Sequence, residues 1–240
     1  MNKSNSYIFI YATVLVVLVA TLLALAANVL KPFQQKNLEI AKKLEILRSV
    51  GKAWELTEDV SKNQFVEGEY DKYITASLVV NPEGDEMSGR DAFLIDPVKE
   101  SKKPENERVY PVFICTHDDG SKNYIFPVNG KGLWGPIWGY VALEPDLNTI
   151  SGVFFDHKGE TPGLGAEINT RTFQQQFEKL RVFNDTEQFI GIKINKSNEP
   201  RVENHTVDAI SGGTITSKGL QETIFESLTD YLPFINKAKQ

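Results

Sequence analysis

Cysteine occurs once in these 240 residues, at Cys115, so the chain has no intramolecular disulfide framework. Histidine is almost as scarce. His117, His157 and His205 share no metal-ligand spacing, and Cys115-Thr116-His117 alone is a poor zinc nucleus, so no metal site is expected. There is no Gly-x-Ser-x-Gly elbow, no Walker loop and no Gly-x-Gly-x-x-Gly fingerprint opening a helix, which leaves hydrolase and nucleotide-dehydrogenase readings without support. Excess positive charge is lacking too: the net charge is -6 and the pI about 5.2, the wrong sign for binding nucleic acid through its phosphates. Low-complexity tracts, internal repeats and Gly-, Pro- or Ser-rich linkers are likewise missing. The 41% hydrophobic content is that of a chain that folds.

Charge is also absent from one long stretch. Residues 7–30 hold no charged side chain and few polar ones: Tyr7, Tyr11, Thr13, Thr21 and Asn28. A helix of that length spans roughly 36 Å, enough to cross a hydrocarbon core of about 30 Å. A cleaved signal peptide is the alternative, with Ala24 and Ala26 imitating a cleavage site, but its apolar region is normally about 7–15 residues. The stretch reads as one transmembrane anchor with a lipid bilayer as its partner. Lys3 alone precedes it, whereas Lys31, Lys36, Lys42, Lys43 and Arg48 follow. Counting charges would leave the large domain in the cytoplasm, but long domains translocate largely regardless of such charges.

Four segments follow: a short terminus at 1–6, the transmembrane helix at 7–30, a membrane-proximal helix and strand-rich part at 31–130, and the remainder of the same domain at 131–240. Ile40, Leu44, Leu47 and Trp54 recur at near-helical spacing, predicting an amphipathic helix over 34–50 that stops at Gly51. Further helices are expected over 172–182, with Phe173, Phe177 and Leu180 on one face, and over 217–231, capped by Ser217 and ended by Pro233. Residues 110–116 and 123–128 flank Asp118-Asp119-Gly120 as a hairpin, and 137–143, 150–155 and 189–194 read as strands. Residues 81–108, rich in Pro, Gly, Glu and Lys, read as an exposed insertion. Strands dominate without βαβ alternation, so the fold class is α+β with antiparallel strands.

Three glycine-rich clusters stand out: residues 130–139, with Trp134 and Trp138; residues 157–165; and residues 208–217, just before the last helix. Each alone is explained by a tight turn. The third has a second meaning. Gly212 and Gly213 leave backbone amides uncovered beside a helix N-terminus, where unpaired N–H groups and the helix dipole favour an anion such as phosphate. Thr214, Thr216 and Ser217 then all offer hydroxyls, with ordinary N-capping as the plainer role.

Asp208-x-x-Ser211-Gly212-Gly213-Thr214 resembles the flavinylation motif of the FMN-binding domain family, usually Asp-x-x-Ser/Thr-Gly-Ala-Thr. Glu160-Thr161-Pro162-Gly163-Leu164-Gly165 is similar to that family's Glu-Thr-Pro-Gly-x-Gly loop, which wraps the flavin. The Gly132-Leu133-Trp134 cluster, the single anchor, and Gln35, Asn37 and Lys43 extend the resemblance to the C subunits of sodium-translocating NADH:quinone oxidoreductases. Gly213 replaces the usual alanine and, being smaller, does not obstruct a transferase.

The resemblance implies an electron-transfer subunit of an ion-translocating oxidoreductase, one that does not itself oxidise NADH and has no catalytic side chain of its own. FMN is implied as a phosphoester on Thr214. Ser211, Gly212, Gly213, Glu160, Thr161, Gly163, Leu164, Gly165 and Trp134, with Trp138 as another candidate to line the ring, are implied as its surroundings. Implied partners are the other subunits of the membrane complex and a flavin transferase. The implied location is the bacterial inner membrane, with the domain in the periplasm. Two other readings remain: the G subunit of an Rnf-type ferredoxin:NAD oxidoreductase, and a cofactor-free anchored binding or assembly module whose glycine clusters are only turns. Residues 31–240 expressed alone should stay in the supernatant, since the one membrane-length apolar run is gone. Partitioning into membranes after a high-salt wash would reveal a second anchoring element.

Overall fold

The computed structural model describes residues 4–54, 61–196 and 198–239. The chain divides into two compact units, Met1–Lys42 and Lys43–Gln240. The first unit belongs to α1 (Asn5–Ser49), which is long and apolar enough to cross a membrane. Its side chains between Tyr7 and Leu38 are exposed. Sequence periodicity divides this region into an anchor and a separate helix over 34–50, but the structure makes one helix. Pro32 lies inside it; proline removes a single backbone donor, and the helical pattern resumes beyond it. The helix ends as expected at Gly51, whose φ of +77° admits the paired bonds Gly51 N–H to Arg48 O (3.1 Å) and Lys52 N–H to Leu47 O (3.0 Å). Trp54 lies beyond the helix rather than on its face and donates its indole N–H to Arg48 O at 3.2 Å.

In the second unit, α2 (Lys62–Tyr73), capped by Ser61, leads into β1 (Ile74–Val80). Then come β2 (Tyr110–Thr116), β3 (Lys122–Lys131), β4 (Pro136–Leu143) and β5 (Ile150–His157). These form an antiparallel meander in the order β1-β2-β3-β4-β5. The expected hairpin at 118–120 joins β2 to β3, closed by Gly120 N–H to His117 O and His117 N–H to Ser121 O, both 2.9 Å.

Side chains alternate across a strand, and here both faces are covered. Tyr110, Val112, Phe126, Val128, Val141 and Phe155 share one core with Leu220, Ile224 and Leu228 of α5 (Thr214–Ala238). Tyr231 sets its ring edge-on to Phe126 at 4.9 Å and donates to Pro111 O at 3.0 Å. On the other face, Arg48 of α1 lies 6.0 Å from the Phe154 ring and Glu45 accepts from Trp138 Nε1 at 3.4 Å. Cys115 is fully buried, and desolvation pushes its thiol up to about 11, so it stays protonated at neutral pH.

Several sequence expectations are corrected. The helix over 172–182 shrinks to α4 (Arg171–Gln174) and one 3₁₀ turn (Gln175–Phe177). Lys179 takes a φ of +68°, and the backbones of Leu180 and Val182 bond those of Ile150 and Asn148 instead of continuing a helix. The strand over 189–194 reduces to β6 (Lys193–Asn195), paired in parallel with β7 (Thr206–Asp208); Gly191, at φ +64°, interrupts it. Helix α5 starts earlier than expected and continues through Pro233. Ser217 does not cap it: the hydroxyl is buried and accepts from Ile210 N–H at 3.2 Å. The segment 81–108 is partly built into the domain through α3 (Pro97–Glu100) and two 3₁₀ turns, Ala92–Leu94 and Glu105–Glu107. Ala92 is buried, and so is Glu100, which accepts from Val109 N–H at 3.2 Å and Lys103 Nζ at 2.8 Å.

The α5 interface yields a contrast measurable by denaturant unfolding. Leu220→Ala, in the core, should lose about 2–5 kcal/mol. Leu94→Ala, at a position 78% exposed, should stay within about 0.5 kcal/mol of the parent.

Candidate functional site

The start of α5, the loop after β5 and the turn between β3 and β4 converge on a cleft of about 220 Å³. It is lined by residues from all three glycine-rich clusters: Leu133 and Trp134; Glu160, Thr161, Leu164 and Gly165; and Gly212 through Thr216. Gly213 stands at the N-cap of α5 with no side-chain cap, and Thr214 is the first helical residue. The first amides of a helix have no partner within it, so this end supplies free N–H groups to the cleft.

One carboxylate joins the three clusters. Glu160 is only 4% exposed; its Oε2 accepts from Thr216 Oγ1 at 2.6 Å and its Oε1 from Trp134 N–H at 2.8 Å. Its own N–H donates to His157 Nδ1 at 3.1 Å. Glycine is required where other segments close over this group. A Cβ on Gly165 would fall 2.4 Å from Thr216 Oγ1 and 2.5 Å from Glu160 Oε2, and one on Gly132 2.5 Å from Glu160 Oε1. Within the loop, Leu164 N–H and Ala166 N–H both donate to Thr161 O at 3.1 Å.

The motif before α5 is held from its other end. Asp208, in β7, accepts from the Arg201 guanidinium and donates its own N–H to Gln176 Oε1 at 3.0 Å. The chain then turns through Gly212, at φ +71°, and Gly213 N–H donates to Ile210 O at 3.0 Å. The three hydroxyls that the sequence leaves equivalent are thereby distinguished. Those of Thr216 and Ser217 belong to residues 1% exposed, and both are hydrogen-bonded. Thr214 is half-buried at the cleft, and among the described residues none bonds its hydroxyl.

Of the residues singled out in the sequence, Trp134, Glu160, Thr161, Leu164, Gly165, Gly212, Gly213 and Thr214 line this cleft. Ser211 is exposed in the turn and Gly163 in its loop, both outside the lining. Trp138 is also outside, bonded to Glu45 on the other face of the sheet. Leu133 and Ile215 join the lining without a sequence signal for that role, and Thr216, readable from sequence as a capping residue or a rival acceptor, is instead a partner of Glu160. The Thr216–Glu160 bond spans 56 positions, a separation with no local pattern to announce it.

The residues fit a flavin nucleotide. A cleft smaller than the roughly 300 Å³ of an enclosing pocket grips part of such a ligand and leaves the rest open. Trp134, 69% exposed, adds an aromatic rim. The family model described as the FMN-binding domain matches residues 132–229, the stretch containing the cleft. The class is thus an FMN-binding domain carried behind one apolar N-terminal helix. The chain is 32% identical to the C subunit of the Na(+)-translocating NADH-quinone reductase of Vibrio anguillarum, over 89% of this chain and 87% of that protein. It is 30% identical to the corresponding C subunit of Pasteurella multocida, over 92% and 93%. The crystal structure of the C subunit from Parabacteroides distasonis superposes with a TM-score of 0.76 at 40% identity, covering 86% of this chain and 96% of that one. Shewanella oneidensis NqrC superposes with a TM-score of 0.70 at 26% identity, over 84% and 97%. The chain belongs to the family of the C subunits of the Na(+)-translocating NADH-quinone reductases.

The Glu160 clamp should behave as one unit in unfolding experiments. Thr216→Val strips a donor from a buried carboxylate and should lose about 1–3 kcal/mol. Gly165→Ala forces the same contact apart and should lose a similar amount, about 1–3 kcal/mol. Because both act on one bond, the double variant should be less destabilised than the sum of the two. Strict additivity would show that the contacts are independent.

Proposed function

We propose that this chain carries FMN covalently on Thr214 and relays electrons within a sodium-pumping NADH:quinone reductase complex. Its partners are the other subunits of that complex and, during maturation, a flavin transferase. Helix α1 anchors it once in the bacterial inner membrane, with the domain on the periplasmic side. The flavin supplies the redox chemistry, and the protein sets its position, solvent access and electronics. The family assignment favours this reading over the Rnf-type subunit and over a cofactor-free module.

The observation that supports Thr214 as the acceptor is the state of the neighbouring hydroxyls. Thr216 and Ser217 are buried and already bonded, whereas Thr214 opens on the cleft at a helix N-terminus. Attachment is a phosphoryl transfer. The Thr214 hydroxyl loses its proton, an Oγ–P bond forms, and a P–O bond to the leaving group of an activated flavin donor breaks, with no change in oxidation state. A tether then keeps the flavin at high effective concentration in a cleft too small to enclose it.

The test is direct. Flavin on a phosphoester should survive SDS and heat, so the denatured band of chain co-expressed with the transferase should fluoresce. Intact mass should rise by one FMN less one water, and peptide mapping should place that increment on Thr214. Thr214→Ala and Thr214→Val should lose the label, and Thr214→Ser should retain part of it. Persistent labelling of Thr214→Ala, or mapping to Thr216, would overturn the assignment; no label at all in the parent would favour the turn-only reading.

A further inference from the structure

The cleft has an electrostatic character that a phosphate-binding site ordinarily avoids. Among the described residues that line it, Glu160 alone bears a charge. No lysine or arginine is among them: Lys131, Lys158 and Lys218 are neighbours in sequence but lie outside the lining. The positive end of α5 amounts to roughly half an elementary charge, whereas an ionised carboxylate carries a whole negative one. Glu160 is bonded to Thr216, in the first turn of that helix, so its charge opposes the field that would draw an anion there.

We propose that Glu160 is a selectivity residue that makes the cleft reject free FMN while tolerating the flavin joined to Thr214. This rests on the reading of Thr214 as acceptor. A free phosphate monoester carries about -1.5 to -2 at neutral pH. A phosphodiester has a single acidic oxygen and carries one negative charge. Esterification to Thr214 thus removes up to one charge from the group nearest the helix start and eases its repulsion by the buried carboxylate. An unlinked nucleotide meets that repulsion in full and has no cationic side chain in the lining to offset it. Retention then depends on the covalent bond, and nucleotide that has not been joined does not occupy the site.

Glu160→Gln isolates charge from shape. The amide oxygen can still accept from Trp134 N–H, and the amide NH2 can donate to Thr216 Oγ1, whose hydroxyl accepts as readily as it donates. The experiment titrates the full-length, unflavinylated Thr214→Ala chain in detergent with FMN and with riboflavin, which lacks the phosphate, with and without Glu160→Gln. Flavin fluorescence reads the binding. The substitution should tighten FMN by about tenfold or more and leave riboflavin within about twofold, as expected for removing one charge held close to the phosphate. An unchanged ratio of FMN to riboflavin affinity overturns the proposal, as does absence of FMN binding to the folded Gln variant. A second measurement needs no change at Glu160. Raising KCl screens repulsion and should strengthen FMN binding to the Thr214→Ala chain relative to riboflavin; weakening would show net attraction and overturn the proposal. Failure of the Thr214 reading is seen separately, as a labelled Thr214→Ala band in SDS.

Discussion

The arrangement of the site depends on one buried carboxylate. Glu160 sits on the loop after β5, yet its two oxygens bind the turn between β3 and β4 and the first turn of α5. A buried ionisable group is costly unless its hydrogen-bonding capacity is used, and these partners use both oxygens. Two glycines are required for the same reason, since a methyl at Gly132 or Gly165 would occupy the space of the carboxylate. Three segments distant in sequence are therefore fixed in one register, and the Thr214 hydroxyl takes its position from that register rather than from a bond of its own.

The sheet supports this by burying both of its faces. With α5 on one side and the end of α1 on the other, the strands β2 to β5 have little freedom to shift, because a one-residue slip would exchange the two cores. The β3–β4 turn and the β5 loop emerge from the same end of adjacent strands, so the distance between Trp134 and Glu160 follows from strand pairing. Helix α5 is fixed by Leu220, Ile224 and Leu228, which are essentially inaccessible to solvent. Its N-terminus is aimed by the hydrophobic core, and the site adds only local polar contacts.

Much of this was legible in the sequence where a local signal existed. The meander strands β2 to β5 alternate or run apolar between clear turns, and the Asp118-Asp119-Gly120 hairpin stands where its turn residues imply. The glycine clusters marked the three segments of the cleft because close approach leaves a local trace, the missing Cβ. Of the parallel pair, β6 is only the end of the strand expected over 189–194, and β7, three residues long, is too short for a period to register. The helix over 172–182 was misread because Phe173, Phe177 and Leu180 keep helical spacing while Lys179 leaves helical geometry. Ser217 had the composition of a cap but not the position of one. Thr216 could not be recognised as the partner of Glu160, since nothing local encodes a bond across 56 positions.

The clamp around Glu160 joins segments of the chain to one another, and this bears on when the site can form. The hydrogen bonds that fix the three segments, Glu160 to Trp134 and to Thr216, all lie within the polypeptide. On the proposed attachment at Thr214, the transferase would then meet an acceptor hydroxyl positioned by the fold itself, and attachment would modify a folded domain rather than take part in folding. The loaded fraction would follow the supply of donor and transferase, independently of how much of the polypeptide is made.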